Sequence, residues 1–348
     1  MTYFAEADAQ FLFENSFSPE DHARLPYYSA LEYRLAASPA ACQILIDVRP
    51  TQRNPMLVFA ILQWHALNGV SPLSELYQSF PQWEPTQWAD AVVQVLEERP
   101  SLIAQETHRS TQTNEINRTA ALCALLGSLR IRGVSDIHLI DVGSSMGFNL
   151  YPDLAEVVTE GPPSHPGQLE TEVTSRHPVS FAPPTIHRRI GIDMNPLDPS
   201  NEEDVKWIAA CLWPEQSARL ARFQHYIEQV VTWPTAEIHH GDANELIEDI
   251  VRELGPGPVP VIFHSWVLAY LSQQDQQRWR STMDRLVANG AIWISFESPF
   301  ATSGLSLPHA EEPEGALGSV QMVVAMPHEA PEHWGWSHPH ARWIHLSA

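Results

Sequence analysis

The sequence predicts an α/β protein, in which an all-helical N-terminal domain (1–130) precedes a mostly parallel sheet that ends in an antiparallel hairpin (131–348). Three observations predict this. Apolar residues recur at helical spacing before residue 131, strands and helices alternate after it, and two strand-like runs close the chain. Alternation of this kind is typical of βαβ crossovers and hence of parallel sheets.

In the first part, Pro55 to Val70 reads as a strongly apolar helix, and Thr86 to His108 repeats apolar residues at helical offsets. Prolines are frequent between these pieces, and each is expected to start or break a helix. They stand at positions 19, 26, 39, 50, 55, 72, 81, 85 and 100.

The second part departs from a simple alternation in one place. A proline-rich insertion at about 151–187 contains the alternating run LETEVTS, which indicates a β-hairpin or flap where a crossover helix is expected. At the end of the chain, Gly318–Met326 and Ala341–Leu346 are predicted as the two strands of the terminal hairpin.

Composition limits the class of protein. The chain has 348 residues, 44% of them hydrophobic, and a net charge of −22. This predicts an ordinary globular core, and the charge disfavours nucleic acid as a partner. The N-terminus does not read as a signal peptide, and the sequence lacks a long apolar run, so we expect a soluble cytoplasmic protein that does not span a membrane. The three cysteines are widely spaced, which favours neither a disulfide framework nor a zinc site. The sequence does not predict an oligomeric state.

The strongest indication of a functional site is a single segment, Ile137 to Tyr151, with the sequence IHLIDVGSSMGFNLY. It reads as a strand that ends at Asp141, a turn of small residues, and a helix start. Backbone N–H groups and a helix N-terminus at one point favour a carboxylate or phosphate. Gly143 and Gly147 allow a ligand to approach closely, and Ser144 and Ser145 are nearly as small. The arrangement predicts a nucleoside-bearing cofactor.

Two other kinds of site share this outline. A dinucleotide fingerprint requires three glycines, but the relevant places hold Gly143, Ser145 and Phe148. Gly143 to Gly147 also matches the Gly-x-Ser-x-Gly elbow of α/β-hydrolases, with Ser145 as nucleophile. The order Ser145, then Asp193 or Asp242, then His264 permits a triad, although no oxyanion loop precedes the elbow.

The later strands favour a third interpretation. RIGIDMN ends near Asp193, AEIHHGDA leads to Asp242 and Ala243, and VPVIFHS ends at Ser265. Because the carboxyl ends of parallel strands meet in one crevice, these acids are expected to lie near Asp141. The pattern Asp141, Gly143, Ser145, Gly147 resembles motif I of class I S-adenosylmethionine-dependent methyltransferases, with Ser145 in place of the middle glycine.

That resemblance implies roles for several residues. Asp193 would accept the ribose hydroxyls of S-adenosylmethionine, and Asp242 would lie against its adenine amino group. The predicted cofactor-binding residues are Asp141, Gly143, Ser144, Ser145, Gly147, Asn149, Asp193, Asp242 and Ala243. His264, at the tip of the fourth strand, is a candidate general base, with a structural histidine as the alternative.

A polar block precedes the sheet. In TQTNEINR, Arg118 falls one turn after Asn114 and can clamp a carboxylate or a substrate anion. The alternative is a solvated helix cap with an internal Glu115–Arg118 pair. The predicted substrate or cofactor lid comprises Gln112, Asn114, Glu115, Arg118, Trp266 and Tyr270. His333, His338, His340 and His345 do not form a recognisable ligand set, so we predict no metal.

Five segments, QTNEINR, VGSSMGFNLY, RRIGIDMNPLDP, WIAACLWPEQSAR and FHSWVLAYL, resemble an uncharacterised bacterial family, domain-of-unknown-function family 2332. The resemblance covers nearly the whole chain. It implies a Rossmann-like class I methyltransferase sheet behind a helical region, and in-line methyl transfer to an unidentified small molecule or protein. A non-catalytic nucleoside-binding protein and a serine hydrolase that uses Ser145 remain the alternatives.

Overall fold

The computed structural model of the chain describes residues 5–48, 53–112, 115–313 and 318–347. The chain forms two compact units. The helical unit comprises Met1–Thr113 and Pro199–Gln224, and the sheet unit comprises Asn114–Asp198 and His225–Ala348. This division differs from the predicted boundary at residue 130 because the last helix before the sheet belongs to the sheet unit and a later segment belongs to the helical one.

Short helices, six of which begin at a proline, build the described part of the helical unit. They are α1 (Glu6–Glu14), α2 (Pro19–Arg24), α3 (Pro26–Ala36), α4 (Pro39–Asp47), α5 (Pro55–Leu67), α6 (Leu73–Ser79), α7 (Pro85–Glu98), α8 (Pro100–Ala104) and α10 (Glu202–Ala210). Proline is favoured at a first helical position because its missing N–H has no partner to lose there. Pro100 therefore divides the predicted helix Thr86–His108 into α7 and α8.

The segment 199–224 joins the helical unit through specific contacts. The Gln63 side-chain amide donates to the carbonyls of Ala209 and Leu212, at 3.0 and 2.8 Å. The Glu215 carboxylate accepts the N–H groups of Tyr27 and Tyr28 in the first turn of α3, at 3.0 and 2.9 Å. Such contacts join residues far apart in sequence, so no local pattern predicts them.

The sheet unit contains the strands and the remaining helices. The strands are β1 (Asp136–Val142), β2 (Val157–Val158), β3 (Leu169–Glu170), β4 (Glu172–Ser175), β5 (Thr185–Asp193), β6 (Glu237–His240), β7 (Val259–Ser265), β8 (Ile292–Glu297), β9 (Val320–Ala325), β10 (Glu332–Ser337) and β11 (Trp343–Leu346). The helices are α9 (Arg118–Ile131), α12 (Ala243–Leu254), α13 (Gln273–Ala288) and α14 (Pro299–Thr302), while α11 (Ser217–Val230) crosses the boundary between the units.

Within the described residues, nine strands form one mixed sheet in the order β4-β11-β10-β9-β8-β7-β1-β5-β6. The five adjacent strands β6, β5, β1, β7 and β8 run parallel to one another. Beyond β8, the strands β9, β10 and β11 continue the sheet in antiparallel pairs. The chain leaves β1 towards β5 on one side and later places β7 on the other. Between β1 and β7 the order of strands therefore reverses, and open α/β sheets bind ligands at the carboxyl ends of strands at such a point.

Each face of the sheet is covered by apolar side chains. On one face, α9 packs Ala121, Leu122, Leu125 and Leu129 against a core that includes Leu139 and Phe263. On the other, α12 and α13 contribute Ile247, Trp279 and Met283 to a core with Ile140 and Ile262. Successive strand residues point to opposite faces. Asp141 therefore projects towards the α9 side, and His264 towards the α13 side.

Three predicted features differ from the structure. The C-terminal strands do not pair with each other, because β10 lies between β9 and β11. LETEVTS forms no hairpin: its two short strands, β3 and β4, pair in parallel with β2 and β11 respectively. In the described residues between β1 and β5, short strands and a 3-10 turn replace the crossover helix of a regular doubly wound sheet.

The described part of the chain contains no helix with both the length and the apolar character needed to cross a bilayer.

Candidate functional site

Asp141 lies near the end of β1, the strand in the middle of the parallel part of the sheet. Its side chain is 2% exposed, and its Oδ2 atom has no hydrogen-bond partner among the described residues. Burial raises the pKa of this carboxyl well above its ordinary value, the negative charge of Asp193 adds to the rise, and Arg118 opposes it. A buried carboxylate oxygen of this kind is satisfied by a hydrogen-bond donor of the protein, a water or a ligand.

The turn after β1 uses left-handed backbone at alternate positions. Gly143, Ser145 and Gly147 have φ values of 75°, 52° and 78°. A side chain at position 143 would place its Cβ 2.5 Å from Cγ2 of Val267, so this glycine is required both by its conformation and by the close approach of the turn after β7. The two turns therefore pack together at the switch point.

The N–H groups of the turn are already engaged within the protein. Gly143 and Ser144 donate to the carbonyl of Ile192, at 2.8 and 3.3 Å, and Ser145 donates to Asp193 Oδ2 at 2.8 Å. The hydroxyls of Ser144 and Ser145 are buried and have no partner in the described structure. The turn is thus held by β5, and two small hydroxyl groups remain for a ligand.

The predicted helix after the turn is wrong. Phe148–Leu150 forms only a 3-10 turn. Pro152 explains this, because a proline at this place in an α-helix lacks the N–H for the next bond and would clash with the carbonyl of Phe148 four residues earlier. The turn therefore does not lead into an α-helix whose N-terminus could attract a carboxylate or phosphate.

Asp193 ends β5, beside β1, and is fixed by backbone donors. Its Oδ2 accepts from Ser145 N–H and its Oδ1 from Asn195 N–H, at 2.8 and 2.7 Å. Its own carbonyl accepts from Gly241 N–H at 2.9 Å, which ties the end of β6 to that of β5. The carboxylate therefore has one orientation, towards the turn.

Asp242 and Ala243 follow β6. Asp242 is exposed and is the N-cap of α12, where its Oδ1 accepts the N–H of Asn244 at 2.8 Å. Ala243 is the first residue of that helix. Asp242 therefore lies one strand beyond Asp193.

The polar block before the sheet, TQTNEINR, differs in part from the prediction because two of its charged residues are buried. Gln112 belongs to the helical unit, and Asn114 lies outside the described residues. Glu115 and Arg118 are 3% and 6% exposed, so a solvated cap is excluded. Glu115 Oε2 is 2.8 Å from Nδ1 of His340, and Arg118 Nε donates to the carbonyl of Pro339 at 2.8 Å. The start of α9 is thus fastened to the loop between β10 and β11.

This fastening places α9 over the turn. Thr119 donates its hydroxyl to Asn149 Oδ1 at 2.7 Å, and the guanidinium of Arg118 lies 5.8 Å from the ring centre of Trp266. Trp266 itself has a left-handed φ of 59°, and its indole N–H is buried with no partner in the part of the chain described. Tyr270, further along the same turn, is 50% exposed.

His264 does not have the geometry of a general base. Its side chain is fully buried, and Nδ1 lies 2.8 Å from Glu297 Oε1. Nε2 accepts the indole N–H groups of Trp293 and Trp279, at 3.0 and 3.4 Å. Two donors on Nε2 leave the ring proton on Nδ1, so the imidazole is neutral and both nitrogens are occupied. The structural alternative is therefore the better assignment for His264.

Glu297, at the end of β8, was missed by sequence reasoning. Its Oε1 also accepts the N–H groups of Val267 and Leu268, at 2.8 and 3.2 Å, and so positions the turn after β7 that faces Gly143. The available signal was weak: IWISFE is an apolar strand that ends in an acid, as the strand that ends at Asp141 does. The partners lie about 30 residues upstream, and spacing alone does not reveal them.

The structure brings together the turn with Ser144 and Ser145, the acids Asp141 and Asp193, and the Arg118–Trp266 pair. Asn149 lies beside this group, and Asp242 lies at the next strand end. His264 points to the opposite face, Gln112 belongs to the helical unit, and Asn114 lies outside the described residues. Among the described residues, no group of three or more His, Cys, Asp or Glu is arranged to hold a metal ion.

The chain is a mixed α/β protein with a mainly parallel sheet, and Asp141 and Asp193 lie at the carboxyl ends of neighbouring strands. Residues 13–345 match the model of the family described as "Uncharacterized protein conserved in bacteria (DUF2332)", and the chain belongs to this family. Comparisons with curated proteins and with solved structures found no match.

Proposed function

We propose that the ends of β5, β1 and β7 bind S-adenosylmethionine and that the protein transfers its methyl group to a small-molecule or protein acceptor. One observation carries the proposal. The buried, unpartnered oxygen of Asp141 lies beside a left-handed turn of small residues, and the N–H of Ser145 in that turn orients Asp193 at the neighbouring strand end.

The residues present fit such a cofactor. A carboxylate has about four lone-pair positions, so Asp193 keeps acceptor capacity for the two ribose hydroxyls after it has bound two backbone N–H groups. Asp242 and Ala243 would receive the adenine end. The Ser144 and Ser145 hydroxyls would face the polar amino-acid end, and Asp141 would face the charged sulfur, where these buried atoms otherwise lack partners.

The cofactor would supply the reactive methyl group, activated by the positive charge on its sulfur. The protein's residues orient the acceptor and exclude water from the site. Because both nitrogens of His264 are occupied, it does not take a proton from the acceptor. Trp266 and Arg118 are the groups of the sheet unit best placed to hold the acceptor beside the turn.

Isothermal titration calorimetry tests the proposal. We expect heat on addition of S-adenosylmethionine and of its demethylated product, S-adenosylhomocysteine, and loss of most of that binding in Asp193→Ala. Asp136→Ala is the matched control, because Asp136 is an aspartate at the opposite end of β1, where its side chain is half-exposed and paired with His187. Absence of heat with both ligands in the wild-type protein refutes the proposal.

The second candidate is a protein that binds a nucleoside ligand without turnover. The occupied nitrogens of His264 favour it, since no base is offered at the tip of β7. Incubation with S-adenosylmethionine labelled in the methyl group and a bacterial metabolite extract separates the two. Methyl transfer that Asp141→Ala abolishes supports the enzyme, whereas tight binding with no labelled product supports the second candidate.

The hydrolase interpretation finds less support. Ser145 has the left-handed backbone of an elbow, but its hydroxyl is buried, and it has no hydrogen bond to any described histidine. His264 projects to the other face of the sheet. We expect a fluorophosphonate probe to leave Ser145 unlabelled. Labelling of this residue would instead support a serine hydrolase.

A further inference from the structure

The proposed site contains two carboxyl groups, Asp141 and Asp193, which differ in the number of hydrogen bonds that stabilise their charged forms. Asp193 receives two backbone N–H groups, which stabilise its negative charge. Asp141 lies on the adjacent strand and is almost fully buried, yet the three N–H groups at the start of the turn go to Ile192 and Asp193 instead. The charged form of Asp141 therefore has little stabilisation from the turn that follows it.

Other charged groups do not remove this asymmetry. Arg118 from α9 is the cation that acts on Asp141, and Asp193 from β5 is the anion that acts on it. From β7, Phe263 pairs with Asp141 across the strands, and His264 is neutral on the opposite face. Beyond Arg118, Glu115 pairs with His340, and Arg342 contacts His338. The charge of Arg118 on Asp141 is thus opposed by the charge of Asp193 on the neighbouring strand.

We propose that Asp141 is protonated in the ligand-free protein and releases its proton when a positively charged ligand binds beside the turn. This inference rests on the proposed function, and it adds that the site distinguishes a positively charged ligand from an uncharged one of the same shape. The step balances as follows: a cationic ligand and the neutral Asp141 carboxyl become a cation–carboxylate pair, and one proton passes to the buffer. A neutral ligand of the same shape binds without this exchange.

The raised pKa of Asp141, caused first by burial and then by Asp193, agrees with the proposal. Linkage gives its sign. Because binding of the cation releases a proton, affinity for the cation rises with pH by up to roughly tenfold per pH unit until Asp141 is ionised in the free protein. Affinity for a neutral ligand does not rise over the same interval. The site therefore favours the charged sulfonium more strongly as pH increases.

The methylated and demethylated cofactors form a matched pair of probes. S-adenosylmethionine carries a positive charge on its sulfur, whereas S-adenosylhomocysteine lacks the methyl group and has an uncharged thioether sulfur. The two molecules are otherwise the same, including the ammonium and carboxylate of the amino-acid end. Calorimetric titrations of both, in buffers of different ionisation enthalpy and at several pH values, give affinity and the number of protons released. We expect up to one proton released with the sulfonium and none with the thioether.

Two variants identify the group that releases the proton. Asp141→Asn keeps the shape of the side chain but carries no acidic proton, so proton release disappears and the affinity for the sulfonium becomes independent of pH. Retained binding of the thioether shows that this variant is folded. Asp136→Asn, at the other end of β1, keeps the wild-type proton release.

The outcomes separate the two proposals. If neither probe binds the wild-type protein, both the proposed function and this inference are wrong. If both probes bind with the same pH dependence and equal proton release, the proposed function stands and the inference is overturned. Proton release that persists in Asp141→Asn also overturns it, because another group must then be its source.

Discussion

Gly143→Ala offers the most direct test of how the two turns at the switch point pack. The added Cβ would lie 2.5 Å from Cγ2 of Val267, and the residue would have to keep a φ of 75°. Val267 has little freedom to move aside, because β-branched side chains are stiff at χ1 and its N–H is held by Glu297 at 2.8 Å. Conformational strain and steric overlap therefore add.

The chain provides a control with the same backbone. Gly161 also has a φ of 75°, but a Cβ there would meet nothing within 4 Å. We expect Gly161→Ala to cost about 1 kcal/mol of unfolding free energy from its left-handed conformation alone. Overlap with a packed neighbour adds about 1–3 kcal/mol, so Gly143→Ala should cost about 2–4 kcal/mol.

Urea unfolding followed by tryptophan fluorescence measures the difference between these variants. A cycle with Val267→Ala assigns its cause, because removal of Cγ2 should recover about 1–3 kcal/mol in the double variant. Equal losses in Gly143→Ala and Gly161→Ala would refute the reasoning, as would an additive double variant. Either result would mean that the turns after β1 and β7 do not touch as described.

Further predictions concern stability and pH. An acid with a raised pKa in the folded state loses stability as pH rises from its unfolded value through its folded one. Asp141→Asn should therefore have a higher unfolding temperature than the wild type at neutral pH and the same unfolding temperature in acid. Calorimetry that shows no pH-dependent difference contradicts this. His264→Ala leaves the Trp293 indole and Glu297 without their partner and should cost about 3–5 kcal/mol, measured in urea, and a loss under about 1 kcal/mol would speak against the buried network. Ser145→Gly should change the unfolding free energy by less than about 1 kcal/mol, since relief of left-handed strain and added unfolded-state entropy oppose each other, whereas Ser145→Val should cost at least about 2 kcal/mol. Similar values for the two Ser145 variants in the same assay would exclude a strained residue at this position.

Local periodicity predicted much of the sheet unit. β7 has the predicted bounds, Val259–Ser265, and the strands that lead to Asp141 and Asp193 lie side by side as expected from their order in the chain. These features follow from short apolar runs and from the geometry of parallel crossovers. Both are encoded within a few neighbouring residues, so a single sequence is enough to reveal them.

The features that were not predicted depend on partners far apart in sequence. Glu115 is paired with His340, 225 residues later, and Glu297 is paired with His264 and with the turn after β7. A pairwise contact of this kind leaves no periodic pattern. The 3-10 turn at Phe148 is different, because Pro152 gave a local signal that a helix was not possible there.

The central claim is that S-adenosylmethionine binds at the ends of β5, β1 and β7. Ultraviolet cross-linking of radiolabelled S-adenosylmethionine, followed by tryptic digestion, locates it directly, because Arg132 and Arg176 bound a single peptide that carries β1 and the turn. We expect the label in that peptide or in the one that contains Asp193, with competition by unlabelled S-adenosylhomocysteine. Label confined to peptides of the helical unit, or no competed label in any peptide, would contradict the central claim.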